Sequence, residues 1–560
     1  MKWLLVMTFA ACTGEASPRS QHDGSQPIDA NEMSDGGANE GDGAVASSDG
    51  ASSSDDGGAP MPLITSADDW LKQVIYLVIP DRFENGDASN DDAVAGCFDP
   101  GDPKKIHGGD FAGLKARIPY LQDLGVTALW ITPAYLQSVD RCGYHGYWAD
   151  FADPDDGAIA PNLGNVVDLA ALSNALHAEG IRLILDMVVN HSGITARVVS
   201  QHPDWFHDPS ACASLGSSDV YCPVGGQPLP DFAQENGVVA TYLANMSVGW
   251  SERFGLDGVR MDTVKNVLPS YWASTWFPAM RAASPGLFVV GEDFDESNAS
   301  ALVPYLNDGF DSLFDYPRYA TIVSTFAQGG TVDALADAVQ DAITHYGMTR
   351  TLHMTSFVDN HDNPRLLSQM PGSLTAAESV AQFRLALGAI FTLPGIPQLI
   401  WGDEIAMLGA ADPDNRRDMP SWAWTPATRV GSHLGTSVGD GQVSYGYTQS
   451  LIGIRAAHSA LSAGSYAELW RKNGGSSNLL GFFRGDGSDR VIVAINVGDA
   501  ATVALPIASS HNLSDSDKAA LPNGAQLTEL LAAGAPATAT VSGGTLSLSM
   551  PARTIGIYAP

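Results

Sequence analysis

Three acidic residues stand at or just beyond the ends of short apolar segments. Asp262 ends the stretch GVRMD, Glu292 follows FVVG, and Asp362 ends FVDNHD. A pair of carboxyl groups about 5 Å apart can cleave a glycosidic bond with retention, one as nucleophile and one as acid/base. Arg260 lies two residues before Asp262 on the same strand face, where its charge keeps a nucleophilic carboxylate ionised. Glu292, close to other carboxylates, should have a raised pKa and carry the proton.

The segments that hold these residues belong to a longer alternation of strands and helices. Between the strands lie helical patterns at Gly113–Asp123, Leu169–Glu179, Val238–Phe254 and Ala377–Thr392. The eight predicted strands are Val74–Ile79, Ala128–Thr132, Arg182–Val188, Gly258–Asp262, Phe288–Glu292, Ser312–Asp315, Met354–Asp359 and Gln398–Gly402.

Eight strand–helix repeats predict an α/β fold of the (β/α)8 TIM-barrel type. The alternative, an open doubly wound sheet, would need a glycine-rich phosphate turn after its first strand, and the sequence has none there. Reactive groups of barrels gather at the carboxyl ends of the strands. We therefore expect the three carboxylates to meet on one rim.

Two departures from the repeat predict additional domains. Residues 192–236 separate the third strand from its helix, which indicates a small inserted domain between barrel parts 66–191 and 237–462. Residues 463–560 are predicted to form a C-terminal antiparallel β-sandwich, because the chain turns to short strands such as Leu479–Arg484 there.

The N-terminal segment predicts export. Residues 1–12 combine one lysine with a short apolar run, and Ala10-Ala11-Cys12 resembles a lipoprotein processing site. Ordinary cleavage beside Ala11 is the alternative. Residues 13–65 are rich in Ser, Gly and Asp and are expected to form a disordered acidic linker. We expect an extracytoplasmic protein, secreted or held at the cell surface, whose only membrane contact is a lipid on Cys12.

The charge balance restricts the partners. Lys and Arg number 29 against 63 for Asp and Glu, a net charge of −34. Such a chain repels phosphate backbones, so nucleic acid is excluded as a partner, whereas neutral substrates and hard cations remain compatible. We expect the protein to be a monomer.

Four cysteines remain besides Cys12, and they allow three pairings. We favour Cys212–Cys222, because it closes a short loop. We also favour Cys97–Cys142, because the loops after the first two strands should lie side by side on the rim. The spacing of these residues does not fit a zinc site.

The catalytic segments and several others occur in an order that resembles the α-amylase family of glycoside hydrolases. The likeness extends from about residue 70 to residue 560, and it is the ordered set that makes it specific. The matching segments are Asp186–His191, Leu229–Asp231, Gly258–Lys265, Gly291–Glu292 and Phe357–Asp362, with flanking matches at Gly125–Pro133, Tyr144–Trp148 and Gly395–Glu404.

The resemblance implies a role for each matching residue. Asp262 would form a β-glycosyl-enzyme, Glu292 would be the acid/base, and Asp362 would bind sugar hydroxyls and favour the distorted ring. Lys265 would reach a sugar on the leaving side, and Phe294 resembles an acceptor-side aromatic residue of related transferases. The implied sugar-binding residues beside the cleaved bond and on the non-reducing side are His145, Tyr147, His191, Arg260, His361, Asp412 and Arg416.

The resemblance also implies one or two Ca²⁺ sites. Asn190, Asp231 and a backbone carbonyl at Asn266 match the site that holds the inserted domain on the barrel, although the family usually has histidine at the last position. A second set resembles the calcium loop of cyclodextrin glucanotransferases and neopullulanases, with a solvated turn as the alternative. That set comprises Asn85, Asp87, Asn90, Asp91, Gly108 and Asp110.

The expected activity is that of an α-amylase (EC 3.2.1.1), the retaining endo-hydrolysis of α-1,4-glucosidic bonds in starch, glycogen or maltodextrins. Phe294 favours a transglycosylase as an alternative, whereas the chain's ending after one sandwich speaks against it. The loop at Asn85–Asp91 favours a cyclomaltodextrinase or neopullulanase, although those relatives normally carry an extra N-terminal β-domain. A non-catalytic glycan-binding homologue would typically lack one of the three carboxylates, and all three are present.

Overall fold

The computed structural model describes residues 60–63, 66–138, 142–152, 158–224, 228–433, 435–471 and 478–560. The predicted export signal, the lipidation site Cys12 and nearly all of the predicted linker lie outside these residues. Within them, no helix is both long and apolar enough to cross a membrane.

Eight parallel strands form the barrel, and their sheet order is β6-β5-β4-β3-β2-β1-β8-β7. A backbone bridge between Phe314 and Thr355 joins β6 to β7 and closes the ring. The predicted (β/α)8 barrel is confirmed. Its strands are β1 (Ile75–Val78), β2 (Ala128–Ile131), β3 (Arg182–Met187), β4 (Gly258–Met261), β5 (Phe288–Gly291), β6 (Ser312–Leu313), β7 (Thr355–Phe357) and β8 (Ile396–Ile400).

The strands lie between the side chains that fill the barrel and a ring of helices outside it. All residues of β1, β2, β4 and β5 are buried, as expected for parallel strands that are covered on both faces. The longer helices of this ring are α3 (Val166–Ala178), α6 (Gly237–Phe254), α11 (Val332–His353, interrupted at Gly347), α12 (Ala376–Thr392) and α14 (Gly441–Ala457).

The remaining helices are short. They are α1 (Phe111–Ala116), α2 (Ile118–Leu124), α4 (Arg197–Gln201), α5 (Ser218–Tyr221), α7 (Pro269–Tyr271), α8 (Phe277–Ala283), α9 (Val303–Asp308), α10 (Tyr316–Ile322), α13 (Pro426–Arg429), α15 (Ser459–Ser462) and α16 (Asp515–Ala520). Two π-helical turns, Trp272–Trp276 and Val323–Ala327, follow α7 and α10.

The helix predicted over Gly113–Asp123 is two helices, α1 and α2. Arg117 between them leaves helical geometry at φ −99° and ψ 6°. Pro119 is the reason, because proline has no N–H to donate and its ring clashes with the carbonyl one turn earlier. It is tolerated here because it lies in the first turn of α2.

The C-terminal domain is an antiparallel sheet whose two halves pack against each other. The order β12-β15-β14-β13-β16-β11-β10-β9 runs through all eight strands. Leu479 and Ile492 from one half share an apolar cluster with Leu505 and Leu548 from the other, which makes a sandwich. The strands are β9 (Ser465–Arg471), β10 (Leu479–Asp486), β11 (Asp489–Asn496), β12 (Ala501–Pro506), β13 (Gln526–Glu529), β14 (Thr538–Ser542), β15 (Thr545–Met550) and β16 (Thr554–Ala559).

The segment between β3 and α6, which the sequence predicts to be an inserted domain, contains the short helices α4 and α5. A disulfide joins Cys212 to Cys222 inside it. A second disulfide joins Cys97, in the loop after β1, to Cys142, in the loop after β2. This is the pairing that the sequence favoured.

The two disulfides are expected to contribute unequally to stability. They separate their cysteines by 45 and 10 residues, and the chain-entropy relation gives about 4 and about 3 kcal/mol for loops of these lengths. We predict that Cys97→Ser with Cys142→Ser lowers the free energy of unfolding more than Cys212→Ser with Cys222→Ser. Urea unfolding followed by fluorescence measures both, and a larger loss in the second pair would contradict the prediction.

Candidate active site

The three predicted catalytic carboxylates follow strands of the barrel at its carboxyl-terminal rim. Asp262 comes directly after β4, Glu292 directly after β5, and Asp362 lies in the loop after β7. Backbone hydrogen bonds between neighbouring strands fix Asp262 and Glu292 at the same level of the barrel. The N–H of Asp262 donates to Met187 O and the N–H of Glu292 donates to Met261 O, both at 2.9 Å. The barrel therefore brings together residues that are up to a hundred positions apart in the chain.

Arg260 is the centre of the site, with only 1% of its surface exposed. Its Nη1 donates to Asp262 Oδ1 at 2.6 Å and to Asp186 Oδ1 at 3.0 Å, while Nη2 lies 2.8 Å from Glu292 Oε1. Hydrogen bonds between charged groups are short and strong when they are buried. One guanidinium group thus positions both carboxyl groups that the chemistry needs.

Asp186 is a member of this cluster that was not predicted as a site residue. It is fully buried in β3, directly opposite Arg260 in the β3–β4 register, and it accepts from Tyr147 Oη at 2.6 Å. Burial raises the pKa of Asp186 to about 7, although Arg260 acts in the opposite direction. The signal in the sequence that could have identified Asp186 is its position as a carboxylate within the apolar residues of β3.

Glu292 and Asp362 differ in protonation. Burial raises the pKa of Glu292 to about 8, and the charges of Asp262 and Asp362 add to this effect against Arg260. Burial also acts to raise the pKa of Asp362, but His361, Arg416 and Arg260 outweigh it and hold that pKa below its ordinary value. At neutral pH Glu292 therefore holds a proton while Asp362 is ionised, as one acid and one anion in the same site require.

Three buried histidines line the rim beside Tyr147. The ring of His361 stacks on Tyr147 with centroids 5.3 Å apart, and Tyr147 Oη lies 2.6 Å from His361 Nε2. Burial lowers the pKa of His361 to about 3, and it also lowers the pKa of His145 and of His191. These rings are neutral at neutral pH, so they can exchange hydrogen bonds with hydroxyl groups without adding charge.

Arg416 lies on one side of Asp362 and is buried. Its Nη2 donates to Asp362 Oδ1 at 3.2 Å, and its Nη1 lies 3.3 Å from Asp412 Oδ1. Its Nε also donates to the carbonyl of His361 at 2.8 Å. The predicted pair Asp412 and Arg416 is therefore connected to the loop that carries Asp362.

Lys265 and Phe294 lie together on the segments that follow β4 and β5. Lys265 Nζ donates to the carbonyl of Phe294 at 3.3 Å and lies 3.8 Å from Asp293 Oδ1. The ring of Phe294 packs on Tyr316 with centroids 4.3 Å apart. Asp293 was not predicted, and burial raises its pKa to about 6.

The residues of the first predicted cation site lie close together. The buried side-chain amide of Asn190 has one end 2.7 Å from the carbonyl oxygen of Asn266 and 3.3 Å from Asp231 Oδ1. With its nitrogen at that end the amide donates to both oxygens, whereas with its oxygen there three oxygens would converge, as the binding of a hard cation requires. The backbone carbonyl of Asn266 is the group that points there, so replacement of histidine by asparagine leaves the donor unchanged.

The second predicted cation site is a compact loop around Asp110. Both oxygens of this buried carboxylate accept hydrogen bonds, from the N–H groups of Gly86, Asp87 and Gly113 and from the amide of Asn90. A cation in this loop would therefore have to be bound by oxygens of residues other than Asp110. Asp91 Oδ1 accepts from the Asn85 amide at 2.8 Å, and Asn90 Oδ1 is buried without a partner among the described residues.

Gly108 explains how this loop closes. A Cβ atom at this position would lie 2.6 Å from both the Asn85 amide nitrogen and Asp91 Oδ1, and the backbone has φ +96°. Only glycine allows the two segments to approach so closely. In the described part of the chain, no three His, Cys, Asp or Glu side chains form a group that could hold a metal ion. Each predicted site would therefore have to combine its carboxylates with amide and carbonyl oxygens.

Comparisons with known proteins relate this chain to one enzyme family. The family model "Alpha amylase, catalytic domain" matches residues 77–429. A beta/alpha-amylase of Paenibacillus polymyxa is 31% identical over 442 residues, which are 76% of this chain and 34% of that protein. A cyclomaltodextrinase of Geobacillus thermopakistaniensis is 28% identical over 79% of this chain and 72% of its own length.

The fold agrees as well. The crystal structure of an Anoxybacillus α-amylase has a TM-score of 0.73 and 28% identity, covering 88% of this chain and 98% of that one. This chain spans about a third of the P. polymyxa relative. Since the family model covers well over half of the 560 residues, the chain belongs to the α-amylase family of glycoside hydrolases.

Proposed function

We propose that the protein is a retaining endo-hydrolase of α-1,4-glucosidic bonds in starch, glycogen or maltodextrins. The observation that carries the proposal is that Arg260 contacts Asp262 and Glu292 at 2.6 and 2.8 Å. Burial also raises the pKa of Glu292 to about 8, which suits a group that acts as the acid. Retaining hydrolysis requires a nucleophile and an acid/base on the two sides of the scissile bond, and the shared guanidinium holds two carboxyl groups that can take these roles.

The first half of the reaction uses the proton of Glu292. An Asp262 oxygen bonds to the anomeric carbon, the bond to the leaving oxygen breaks, and Glu292 transfers its proton to that oxygen. The guanidinium of Arg260 contacts both carboxyl groups and so holds Asp262 and Glu292 side by side for attack and proton transfer. The product of this half is a β-glycosyl ester on Asp262.

The second half reverses these roles. A water molecule gives a proton to the Glu292 carboxylate and its oxygen bonds to the anomeric carbon, while the bond to Asp262 breaks and the electron pair returns to the carboxylate. Two inversions give net retention. Asp362, ionised and held by Arg416, is placed to accept hydrogen bonds from sugar hydroxyls.

The neutral rings of His145, His191 and His361 support a neutral polyhydroxylated substrate. Their pKa values are lowered by burial, so they add no charge that a sugar would have to balance. The ring of Tyr147, stacked on His361, adds an aromatic face beside them. An α-glucan chain fits both features.

A related cyclodextrin-degrading or transferring activity is the second candidate. One relative is named a cyclomaltodextrinase. The partly buried ring of Phe294 beside Lys265 is the observation that favours transfer, because an apolar acceptor side lets a sugar hydroxyl compete with water. Both activities share the two steps above and differ only in the acceptor or in the preferred glucan.

Product analysis on starch, pullulan and cyclodextrins separates these candidates. We expect short linear maltooligosaccharides from starch and slower attack on the other two substrates. Glu292→Gln, which keeps the size of the side chain but cannot donate the acid proton, should lower kcat by about 10²-fold to 10⁴-fold. Unchanged activity in this variant contradicts the mechanism. Cyclic products from starch would show that the enzyme is a transglycosylase and not a hydrolase.

The alkaline side of the pH profile should report Glu292. The acid must be protonated in the free enzyme, and its raised pKa of about 8 keeps it so through neutral pH. We predict that kcat/KM falls as pH rises through about 8. Initial rates on a soluble maltooligosaccharide between pH 5 and pH 10 measure this, and a fall already centred near pH 5 would contradict the assignment.

We also propose that Ca²⁺ occupies the sites at Asn190 and at the Asn85–Asp91 loop and stabilises the fold. Removing an ion present at a hundred times its Kd costs about 3 kcal/mol, so a chelator should lower Tm by about 2 to 5 °C. Added Ca²⁺ should restore it, as measured by scanning calorimetry. Asp231→Asn and Asp91→Asn separate the two sites, and an unchanged Tm after chelation of the wild type would count against both.

Export is the remaining part of the proposal. Two disulfides support an extracytoplasmic location, because such bonds persist in oxidising compartments. Mass spectrometry of the mature N-terminus distinguishes a lipid on Cys12 from cleavage beside Ala11.

A further inference from the structure

Thr263, the residue after Asp262, contacts both carboxyl groups that the proposed reaction uses. Its backbone N–H donates to Glu292 Oε2 at 3.0 Å. Its hydroxyl donates to Asp262 Oδ2 at 3.1 Å. Asp262 Oδ1 is bound to Arg260 instead, so the two oxygens of the nucleophile have different partners.

The backbone at Thr263 is in the left-handed region, at φ +47° and ψ +45°. Glycine is the residue that adopts this conformation without strain, and a β-branched residue there is unusual. Strained residues of this kind are concentrated at functional sites. The conformation turns the N–H and the hydroxyl of one residue toward two different carboxyl groups, and the hydroxyl is the group that glycine would lack.

Further backbone bonds hold this turn in place. The N–H of Val264 donates to the carbonyl of Glu292 at 2.9 Å, and the N–H of Asn266 donates to the carbonyl of Thr263 at 2.9 Å. The N–H groups of Thr263 and Val264 therefore tie the segment after β4 to Glu292, and the bond from Asn266 closes a turn within that segment. The side chain of Thr263 is therefore held in position by a hydrogen-bonded turn.

The two hydrogen bonds differ in when they strengthen. In the first half-reaction Glu292 loses its proton, so negative charge appears at the carboxyl group that the Thr263 N–H contacts. In the second half-reaction the bond from the anomeric carbon to Asp262 breaks, and its electron pair returns to the carboxylate that the hydroxyl contacts. A donor binds a carboxylate more strongly than a neutral acid or ester, and only interactions that strengthen toward the transition state raise the rate.

We propose that Thr263 is a positioning residue that serves both half-reactions. Its N–H assists the ionisation of Glu292 in the first, and its hydroxyl assists the departure of Asp262 from the glycosyl-enzyme in the second. This inference rests on the proposed retaining mechanism. It assigns the hydroxyl to the second half-reaction, in which water or a sugar releases the enzyme. The hydroxyl gives no such help to the first half, because there the charge on Asp262 decreases.

The test uses Thr263→Val, which removes the hydroxyl but keeps the side-chain shape and the N–H. With α-maltosyl fluoride, an activated substrate, kcat should fall by about 10-fold to 100-fold. KM should fall in parallel, so that kcat/KM stays within about threefold, because kcat/KM reports the first half-reaction. Rapid quenching and mass spectrometry should show the glycosyl-enzyme accumulating. Thr263→Ser, which regains the hydroxyl, should restore kcat to within about threefold.

Thr263→Gly controls for folding, since it relieves the backbone conformation and also lacks the hydroxyl. Its Tm should be unchanged or higher while its kinetics follow those of Thr263→Val. The proposal is overturned if kcat and kcat/KM of Thr263→Val fall together without accumulation, or if neither changes. Failure of the mechanism itself looks different, because wild-type enzyme would then form no covalent adduct and Glu292→Gln would remain active.

Discussion

The site depends on one buried cation. The guanidinium of Arg260 is almost completely excluded from water and contacts Asp186, Asp262 and Glu292 at 3.0, 2.6 and 2.8 Å. A buried charge is tolerated only when it is paired, and three carboxylates around one cation could not all be ionised at low cost. The arrangement therefore requires that some of them hold protons, and the raised pKa values of Glu292 and Asp186 meet that requirement. The raised pKa of the acid Glu292 follows first from its burial, and the charges of Asp262 and Asp362 add to this effect.

The barrel supplies the geometry that the cation needs. Asp186 and Arg260 are direct neighbours in the β3–β4 register, and Met261 is opposite Gly291 in the next pair, which puts Asp262 and Glu292 one step beyond it. The strands are buried on both sides, so the carboxylates cannot be displaced without disturbing the core. The left-handed turn at Thr263 then connects the ends of β4 and β5 through both carboxyl groups.

Much of this could be predicted from sequence because it depends on local pattern. The strand segments, the insertion, the sandwich and the residues Asp262, Glu292 and Asp362 follow from apolar runs and the polar residues at their ends. Asp186 and Thr263 were not predicted as site residues. The role of Asp186 depends on cross-strand register, and the role of Thr263 depends on a backbone angle that cannot be inferred from the residue type. Pro119 is a local signal for the break between α1 and α2, but the helical periodicity of the surrounding residues predicted one continuous helix. Residues before 60 lie outside the described structure, so the export signal, the lipid on Cys12 and the acidic linker stay predictions.

The central claim is that Asp262 and Glu292 act as nucleophile and acid/base, and its most direct test is the configuration of the first product. Proton NMR during hydrolysis of a maltooligosaccharide, recorded before mutarotation, distinguishes the two anomers of the newly formed reducing end. Two successive inversions at the anomeric carbon predict that the α-anomer appears first. Initial formation of the β-anomer would mean a single displacement by water, and it would contradict a covalent bond to Asp262.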